Sequence, residues 1–346
     1  MLRVAIIGGS GYTGLELLRI LAGHPKVRVI AVTSRAYKDT PVSEVPCFRG
    51  FYEGLKFTEP ADFKGIKADI AFSALPHSVS QEAVPGLLKA FGRVIDLSAD
   101  FRLKDEAAYR TWYGEHKSPW LLKEAVYGLP ELNREKIKKA RLVANPGCYP
   151  TGAILALAPL LKRGLVRPDS IIIDSKSGVS GAGRKAALET SFVEVAGGFK
   201  AYKVGCHRHT PEIEQGLSSL TGGADGVKIV FTPHLIPISR GILTTAYAEL
   251  KRHVSTDSLI GLYNEFYEGE RFVRMLPEGR FPDVGNVRRS NYCDIGIYLD
   301  AGRKRVIAIS AIDNLVKGAS GTAVQNMNIM AGFKETLSLD GPPVAI

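Results

Sequence analysis

The 346-residue sequence is poor in the features that mark disulfide-rich, zinc-binding and membrane-spanning proteins. Its only cysteines are Cys47, Cys148, Cys206 and Cys293. No two of them form a C-x-x-C pair, so neither a disulfide framework nor a metal site is predicted. The longest apolar stretch, residues 152–161, is interrupted by Pro159 and is shorter than the about 20 residues that cross a bilayer. Because the N-terminal residues also lack a small-residue cleavage site, we expect a cytoplasmic protein without membrane contacts.

Long runs of one charge are absent as well. Lysine and arginine exceed aspartate and glutamate by 45 to 35, a formal net charge of +10, yet the longest basic run is residues 303–305. The aromatic and basic signature of RNA-binding domains is missing too. A dispersed positive excess is compatible with an ordinary soluble surface and favours small anionic ligands over nucleic acid.

The first half of the chain alternates short apolar segments with helical patterns. Strands are predicted at residues 2–7, 28–33, 68–73, 92–97 and 141–144, and helices at residues 12–22 and 78–90. Strands and helices that alternate at this spacing indicate a doubly wound parallel sheet of the Rossmann type. Ligands bind such sheets at the carboxyl ends of the strands.

From about residue 148 the pattern changes. A helix is predicted at residues 151–163, and strands follow at residues 227–231, 242–250, 293–299 and 305–312. Several of these segments alternate with period two, which indicates an α+β domain with a mainly antiparallel sheet. We therefore predict an α/β protein with a nucleotide-binding domain at residues 1–147 and a catalytic domain at 148–314. A last helix at 321–333 is expected to return to the first domain, which residues 315–346 would complete.

A glycine-rich segment joins the first predicted strand to the first predicted helix. Residues 8–14 read Gly-Gly-Ser-Gly-Tyr-Thr-Gly and match G-x-G-x-x-G as well as G-x-x-G-x-x-G. Glycine lets the backbone turn tightly and approach a pyrophosphate, and the helix N-terminus offers free N–H groups. A tight turn alone would also use glycine, but the strand-to-helix position favours a dinucleotide site that includes Gly8, Gly11 and Gly14.

The end of the second predicted strand indicates which dinucleotide binds. NAD enzymes carry an acid about 20 residues after the glycines, whereas this chain reads Thr33-Ser34-Arg35-Ala36. A hydroxyl and a guanidinium suit the 2′-phosphate of NADP. The alternative is an ordinary exposed arginine.

Cys148 is the candidate nucleophile. It follows a predicted strand in the segment Asn145–Thr151 and stands where a helix is about to begin. The N-terminus of a helix stabilises a thiolate, which makes a cysteine more nucleophilic at neutral pH. The other three cysteines lack such a setting and are expected to be structural.

The segment from Gly205 to Glu212 is the densest cluster of ionisable side chains. His207 and His209 would point the same way in an extended segment, and Glu212 could orient one of them as the third member of a nucleophile–base–orienter set. The alternative is that these residues lie on the surface or cap a helix at Thr210.

A glycine- and serine-rich loop follows the strand that begins near Asp174. It ends in Ser180-Gly181-Ala182-Gly183-Arg184 and can present N–H groups and an arginine to phosphate. We expect Ser180 and Gly181 to contact the cofactor, although a flexible loop tip would look similar.

These segments resemble the N-acetyl-γ-glutamyl-phosphate reductase family of arginine biosynthesis, which is related to aspartate-semialdehyde dehydrogenase. The resemblance extends over essentially the whole chain. Its motifs are Gly8–Gly14, Leu97–Leu103 (LSADFRL), Asn145–Thr151 (NPGCYPT), Lys176–Arg184 (KSGVSGAGR), His207–Ile213 (HRHTPEI), Phe231–Ile242 (FTPHLIPISRGI) and Asp313–Asn328 (DNLVKGASGTAVQNMN).

The resemblance implies an NADPH-dependent reduction of N-acetyl-γ-glutamyl phosphate to the semialdehyde. Cys148 would form the acyl-enzyme, and His207 and His209 would bind substrate and transfer the proton, a role we assign to His209. The residues that would bind NADP are Ser10, Gly11, Tyr12, Thr13, Ser34, Arg35, Ala36 and Asn314. The family also implies a dimer or tetramer.

Two alternatives remain at this point. The related reductase of lysine biosynthesis acts on a carrier-linked aminoadipyl or glutamyl phosphate and shares most motifs, whereas this chain keeps Pro146 and Tyr149-Pro150-Thr151 around Cys148. A non-catalytic NADP sensor or nucleic-acid-binding protein is favoured only by the net charge. The candidates for binding the substrate's carboxylate and phosphate are Arg102, Arg184, Arg208 and Arg240.

Overall fold

The computed structural model describes residues 1–59, 63, 65–222 and 226–344. The chain divides into two units. Unit 1 combines Met1–Pro146 with Ala319–Gly341, and unit 2 combines Gly147–Gly318 with the segment from Pro342. The division between Pro146 and Gly147 thus lies one residue before the predicted boundary. Residues 315–318 and the segment from Pro342, which were predicted to complete the N-terminal domain, lie in unit 2.

Unit 1 is built on a parallel sheet of seven strands. They are β1 (Leu2–Ile7), β2 (Val27–Thr33), β3 (Phe57–Thr58), β4 (Ile70–Ser73), β5 (Val94–Asp96), β6 (Val126–Tyr127) and β7 (Leu142–Ala144). Their order is β3-β2-β1-β4-β5-β7-β6, and every pairing is parallel. The predicted doubly wound sheet is confirmed. Because the order reverses between β1 and β4, the carboxyl ends of these strands form the switch point at which such sheets bind ligands.

The helices of unit 1, numbered along the chain, are α1 (Tyr12–Ala22), α2 (Ser80–Phe91), α3 (Glu106–Tyr113), α4 (Trp120–Glu124), α5 (Pro130–Lys139) and α10 (Gly321–Met330). The bounds of α1 are those predicted, because Leu18 and Leu21 recur at helical spacing and are buried. All ten residues of α10 are buried, and it packs on α1 and α5. It ends at Met330, three residues before the predicted end.

Unit 2 contains the second seven-stranded sheet. Its strands are β8 (Ile171–Gly178), β9 (Lys200–Ala201), β10 (Ile229–Ile236), β11 (Ile242–Glu249), β12 (Val273–Met275), β13 (Cys293–Asp300) and β14 (Arg305–Ile312). The order is β12-β13-β14-β11-β8-β10-β9. Four of the neighbouring pairs are antiparallel, as predicted, while β8–β10 and β12–β13 are parallel. β10 also extends five residues past its predicted end.

Helices cover one face of this sheet. They are α6 (Cys148–Lys162), α8 (Thr210–Thr221) and α9 (Thr256–Phe266), and a fourth short helix, α7 (Phe192–Val195), lies in an exposed segment. α6 packs on β11 and β14, and its residues 149–161 are all buried. It begins at Cys148, three residues earlier than predicted. No helix in the described part of the chain is long and apolar enough to cross a membrane.

A buried carboxylate lies at the end of β5. Asp96 is fully buried and accepts hydrogen bonds from the hydroxyls of Ser80 (2.5 Å) and Ser98 (2.6 Å). Burial raises the pKa of Asp96 to about 6, although the two hydroxyls partly offset this rise. An unfolded aspartate titrates near about 3.9, so the folded unit binds the proton more tightly than the unfolded chain.

The stability of unit 1 should therefore fall as pH rises from 4 to 7, by up to about 3 kcal/mol from Asp96 alone. Asp96→Asn removes the titration. Relative to the parent, the free energy of unfolding of this variant should therefore rise by up to about 3 kcal/mol between pH 4 and pH 7. Urea unfolding followed by tryptophan fluorescence measures it, because both tryptophans, Trp112 and Trp120, lie in unit 1.

Asp39→Asn is the matched control, since Asp39 is an exposed aspartate of the same unit. It removes one exposed carboxylate and so controls for the change in net charge. A difference between Asp96→Asn and the parent that does not vary with pH would contradict the prediction.

Candidate active site

The glycine loop between β1 and α1 is shaped by contacts with its own unit. Gly8 has φ +89°, and a Cβ there would lie 2.7 Å from the carbonyl oxygen of Ala74. A Cβ on Gly9 would lie 2.3 Å from Cγ2 of Val32, and one on Gly14 would lie 2.6 Å from the backbone of Gly9. These three glycines are required by the fold itself, because any side chain would displace a neighbouring strand or turn.

Gly11 has a different environment. It is the residue before α1, and a Cβ there would meet no described atom within 4 Å. In the described part of the chain no side chain caps α1, and its first turn contains no acid. The N–H groups and the positive end of the helix dipole therefore face open space next to Gly11 and Tyr12, which fits the pyrophosphate of a dinucleotide.

Neighbouring hydrogen bonds fix this loop. Ser34 is 2% exposed, and its hydroxyl donates to the hydroxyl of Ser10 (2.8 Å) and accepts from the N–H of Tyr37 (3.2 Å). The carbonyl of Thr13 accepts from the hydroxyl of Ser320 (2.8 Å). The residues after β2 and those of the glycine loop thus form one rigid corner.

Arg35 projects from that corner. Its side chain is 80% exposed, and its Nε lies 3.7 Å from Oε1 of Glu59, an acid that follows β3 and was not predicted. Ala36 beside it is exposed as well. Exposed ion pairs contribute about 1 kcal/mol or less, so a phosphate could replace Glu59 as the partner of the Arg35 guanidinium.

Arg102 is a buried part of unit 1. It is 8% exposed, and its guanidinium donates to the carbonyls of Asn145 (2.8 Å) and Leu97 (2.9 Å). These bonds connect the residues after β5 and β7. A guanidinium has five N–H donors, so these two contacts are compatible with a substrate role for Arg102.

Cys148 is the first residue of α6 and is half-buried. The preceding Gly147 has an extended backbone, and its N–H donates to Oε1 of Glu212 (2.8 Å). A Cβ on Gly318 would lie 2.8 Å from Cβ of Cys148, so the turn at Gly318 packs directly on the nucleophile. The thiol is thereby fixed at the positive end of the α6 dipole, which stabilises a thiolate.

Glu212 is 1% exposed and lies in the first turn of α8. The sequence predicts that it orients a histidine. Its Oε1 accepts the Gly147 N–H, so the carboxylate also fixes the residue that precedes Cys148, and the orientation of a histidine by Glu212 stays a prediction. This contact joins residues 65 positions apart, and no local pattern in the sequence indicates it.

His207 and His209 lie beside the start of α6. Their ring centroids are 4.9 Å apart, and the ring of Tyr149 packs edge-to-face on both, at 5.5 and 5.8 Å. Nδ1 of His207 accepts the backbone N–H of His209 (3.1 Å). Burial, and after it the charge of His209, lower the pKa of His207 to about 3. His207 is therefore neutral at physiological pH, carries its hydrogen on Nε2 and can only donate at that atom.

Two tyrosines that the sequence reasoning missed complete the surroundings. The hydroxyls of Tyr149 and Tyr202 are 3.0 Å apart. Burial raises the pKa of Tyr202 to about 12, and burial also holds the pKa of Tyr149 above its usual range. Both therefore remain protonated. Tyr149 could have been found from its place in the segment Asn145–Thr151, whereas nothing in the sequence marks Tyr202.

Asn314 connects two loops of unit 2. It is 2% exposed, its Nδ2 donates to the hydroxyl of Ser180 (2.9 Å), and its Oδ1 accepts the N–H of Gly241 (2.8 Å). A Cβ on Gly181 would lie 3.3 Å from Oγ of Ser177. The loop that contains Ser180 and Gly181 is therefore held by Asn314 at its start.

The remaining candidate arginines differ in burial. Arg184 is exposed. Arg208, which lies between His207 and His209 in the sequence, is half-buried. The Arg240 side chain is only 13% exposed, and its Nε lies 3.2 Å from Oδ2 of the fully buried Asp313. Among these three arginines, Arg240 is therefore the one that the structure pairs with a fully buried carboxylate.

None of the four cysteines is in a disulfide, and Cys293 is buried while Cys47 and Cys206 are exposed. Across the described residues, no group of three or more histidine, cysteine and acidic side chains could hold a metal ion.

Two family models match the chain. Residues 3–140 match the NAD binding domain of semialdehyde dehydrogenases, and residues 148–314 match the dimerisation domain of the same enzymes. Among solved structures, aspartate semialdehyde dehydrogenase II of Vibrio cholerae superposes with a TM-score of 0.74 at 18% identity, covering 96% of this chain and 98% of that one. The NADP-bound aspartate semialdehyde dehydrogenase of Candida albicans has a TM-score of 0.70 at 14% identity, with coverage of 96% and 98%.

Curated relatives are much more similar in sequence. The N-acetyl-γ-glutamyl-phosphate reductase of Geobacter metallireducens is 57% identical over 99% of both chains. The enzyme of the same name from Geotalea daltonii is 57% identical over 98% of both chains. With these relatives and both domain matches, the chain belongs to the N-acetyl-γ-glutamyl-phosphate reductase family of semialdehyde dehydrogenases.

Proposed function

We propose that this protein reduces N-acetyl-γ-glutamyl phosphate to N-acetylglutamate 5-semialdehyde and phosphate, with NADPH as the reductant, in arginine biosynthesis. The observation that carries the proposal is the setting of Cys148. A half-buried thiol lies at the N-terminus of α6 beside His207 and His209, in a chain that is 57% identical to enzymes of this name over nearly its whole length.

The first step uses the thiolate of Cys148. Its sulfur attacks the acyl carbon of the substrate, the carbon–oxygen bond to phosphate breaks, and phosphate leaves with the electron pair. The product is a thioester on Cys148. This order makes chemical sense because a thioester accepts hydride whereas a carboxylate resists it.

When bound, NADPH supplies the hydride for the second step. Addition to the thioester carbon makes the carbonyl oxygen anionic, and the Nε2 hydrogen of neutral His207 is a suitable donor to it. We assign the proton transfer to His209, which protonates this oxygen to form the thiohemiacetal. His209 takes the proton back as the carbon–sulfur bond breaks. The aldehyde leaves, and Cys148 is a thiolate again.

The residues of unit 1 fit the cofactor. The uncapped start of α1 at Gly11 would hold the pyrophosphate, and Arg35 would hold the 2′-phosphate in place of its exposed contact with Glu59. The remaining contacts proposed in unit 1 are Gly8, Ser10, Tyr12, Thr13, Gly14, Ser34 and Ala36. In unit 2, Ser180 and Gly181 are proposed because their loop can present N–H groups to phosphate, and Asn314 is proposed on the family resemblance.

For the substrate we favour Arg240, because a guanidinium that is fixed by a buried acid recognises a carboxylate or phosphate at low entropic cost. Arg102, Arg184 and Arg208 are the further candidates. The absence of disulfides is typical of a reducing compartment and supports the cytoplasm as the site of action.

We further propose that unit 2 forms a homodimer through the open face of its sheet. Directly paired residues on five neighbouring strands form one apolar row, and they are Val230, Ile172, Tyr247, Ile307 and Tyr298. Val230, Ile172 and Tyr298 are 60%, 43% and 51% exposed. An exposed apolar row across a sheet marks an interface, and the dimerisation domain model covers it. A tetramer would need a second interface.

The first prediction from the proposed function concerns the nucleophile. Cys148→Ser should lower the oxidation of N-acetylglutamate semialdehyde by NADP and phosphate at least roughly a hundredfold, since serine is a far weaker nucleophile at neutral pH. NADPH formation followed by absorbance measures it. Cys206→Ser, at an exposed cysteine, should keep most of the activity. A parent that is inactive on this compound but oxidises a carrier-bound aminoadipate semialdehyde would overturn the proposed substrate.

The second prediction concerns the cofactor loop. Gly11→Ala should weaken NADPH binding roughly tenfold to a hundredfold, because its methyl group would displace at least one charge-assisted contact to the pyrophosphate. Gly23→Ala is the matched control at the other end of α1, where a Cβ also meets no described atom within 4 Å. Calorimetric titration measures both. Equal dissociation constants for the two variants would show that the loop does not hold the cofactor.

The third prediction concerns the dimer. Ile172→Glu would bury an unpaired charge in the interface at a cost of several kcal/mol, so the variant should elute as the 37.5 kDa monomer in size-exclusion chromatography with light scattering. Val79→Glu, at a residue of unit 1 that is 41% exposed against 43% for Ile172, should keep the mass of the parent. A monomeric parent, or an Ile172→Glu variant that keeps the parent's mass, would reject the proposed interface.

A further inference from the structure

Asp313 is a fully buried carboxylate to which the proposed mechanism gives no role. Its Oδ1 accepts the N–H groups of Leu315 (2.8 Å) and Val316 (3.0 Å). Its Oδ2 accepts the N–H of Arg289 (2.7 Å). Three backbone donors thus fix the position of the carboxylate and offset the cost of its burial.

The side chain that this carboxylate holds is Arg240. Its Nε lies 3.2 Å from Oδ2 of Asp313, and the arginine is 13% exposed. A guanidinium has five N–H donors. The buried negative charge beside Nε attracts the guanidinium and restricts where this end of the side chain can lie.

A second contact holds Arg240 through its neighbour. Oδ1 of Asn314, the residue after Asp313, accepts the N–H of Gly241, the residue after Arg240 (2.8 Å). Gly241 has φ +112°, and a Cβ there would lie 2.8 Å from Cβ of Val284. The pair Asp313-Asn314 therefore fixes the pair Arg240-Gly241 in both side chain and backbone.

From these contacts we infer that Asp313 is a positioning residue that orients the Arg240 guanidinium toward the anionic group of the substrate. The inference rests on the proposed function, since it assumes the acyl-phosphate substrate. An arginine side chain loses rotamer entropy when it is ordered. Asp313 imposes that order before substrate arrives, so substrate binding does not have to supply it.

Asp313→Asn separates this role from the others. The amide oxygen can still accept from Leu315 and Val316, whereas the amide nitrogen faces Arg240 and the N–H of Arg289 and removes the charge that orients the guanidinium. The loss of the Arg289 hydrogen bond should lower the thermal unfolding midpoint. We expect the KM for N-acetylglutamate semialdehyde to rise about tenfold to a hundredfold, with the KM for NADP nearly unchanged.

A double-mutant cycle tests whether the effect passes through Arg240. In the Arg240→Met background, Asp313→Asn should change kcat/KM less than about threefold, although it costs tenfold or more alone. Equal losses in both backgrounds would overturn the inference, because Asp313 would then act independently of Arg240. If the parent does not turn over this substrate, the proposed function fails instead, so the two failures are distinct.

Folding is monitored by circular dichroism. Should Asp313→Asn alone not fold, the comparison of Arg240→Met with the doubly substituted chain still decides the matter, since both lack the buried charge contact. Equal kcat/KM values support the inference, and a further tenfold loss in the double variant would overturn it.

Discussion

Burial of α6 is the constraint on which the geometry of unit 2 depends. Ser310 donates to the carbonyl of Gly152 (2.9 Å), and the hydroxyls of Tyr263 and Tyr267 donate to the carbonyls of Ala156 and Leu155 (2.5 Å each). A helix held in this way along its length cannot shift without breaking packed contacts. Its first residue, Cys148, therefore has a fixed position, and the precision of the site comes from the hydrophobic core rather than from loops.

The charged groups near Cys148 are arranged so that they do not oppose a thiolate. Glu212 is paired with the Gly147 N–H, and Asp313 is paired with the N–H groups of Leu315 and Val316. Desolvation by burial is the main cause of the low pKa of His207, so this histidine stays neutral. Both carboxylates thus accept hydrogen bonds from backbone N–H groups, which offset the cost of burying their charge.

Local signals in the sequence predicted more than long-range pairings could. The bounds of β1 and α1 follow from an apolar strand that ends in glycine and a helical repeat that begins there, so both were predicted correctly. Cys148 was predicted because its neighbours are local. The parallel pairing of β8 with β10 was not, because period-two alternation does not reveal a partner strand. The contacts of Glu212 with Gly147 and of Arg240 with Asp313 depend on tertiary packing between distant segments, which explains why no pattern marked them.

The position of α10 in the chain has a consequence for synthesis on the ribosome. α10 is wholly buried in unit 1 and is held there by bonds such as Nδ2 of Asn326 to the carbonyl of Gly128 (2.8 Å). About 170 residues of unit 2 are translated before it appears, which takes on the order of 10 to 30 s. Until then the surfaces of α1 and α5 that α10 covers are without their partner. The N-terminal unit is therefore the last to complete its core, and a nascent chain must be protected there longest.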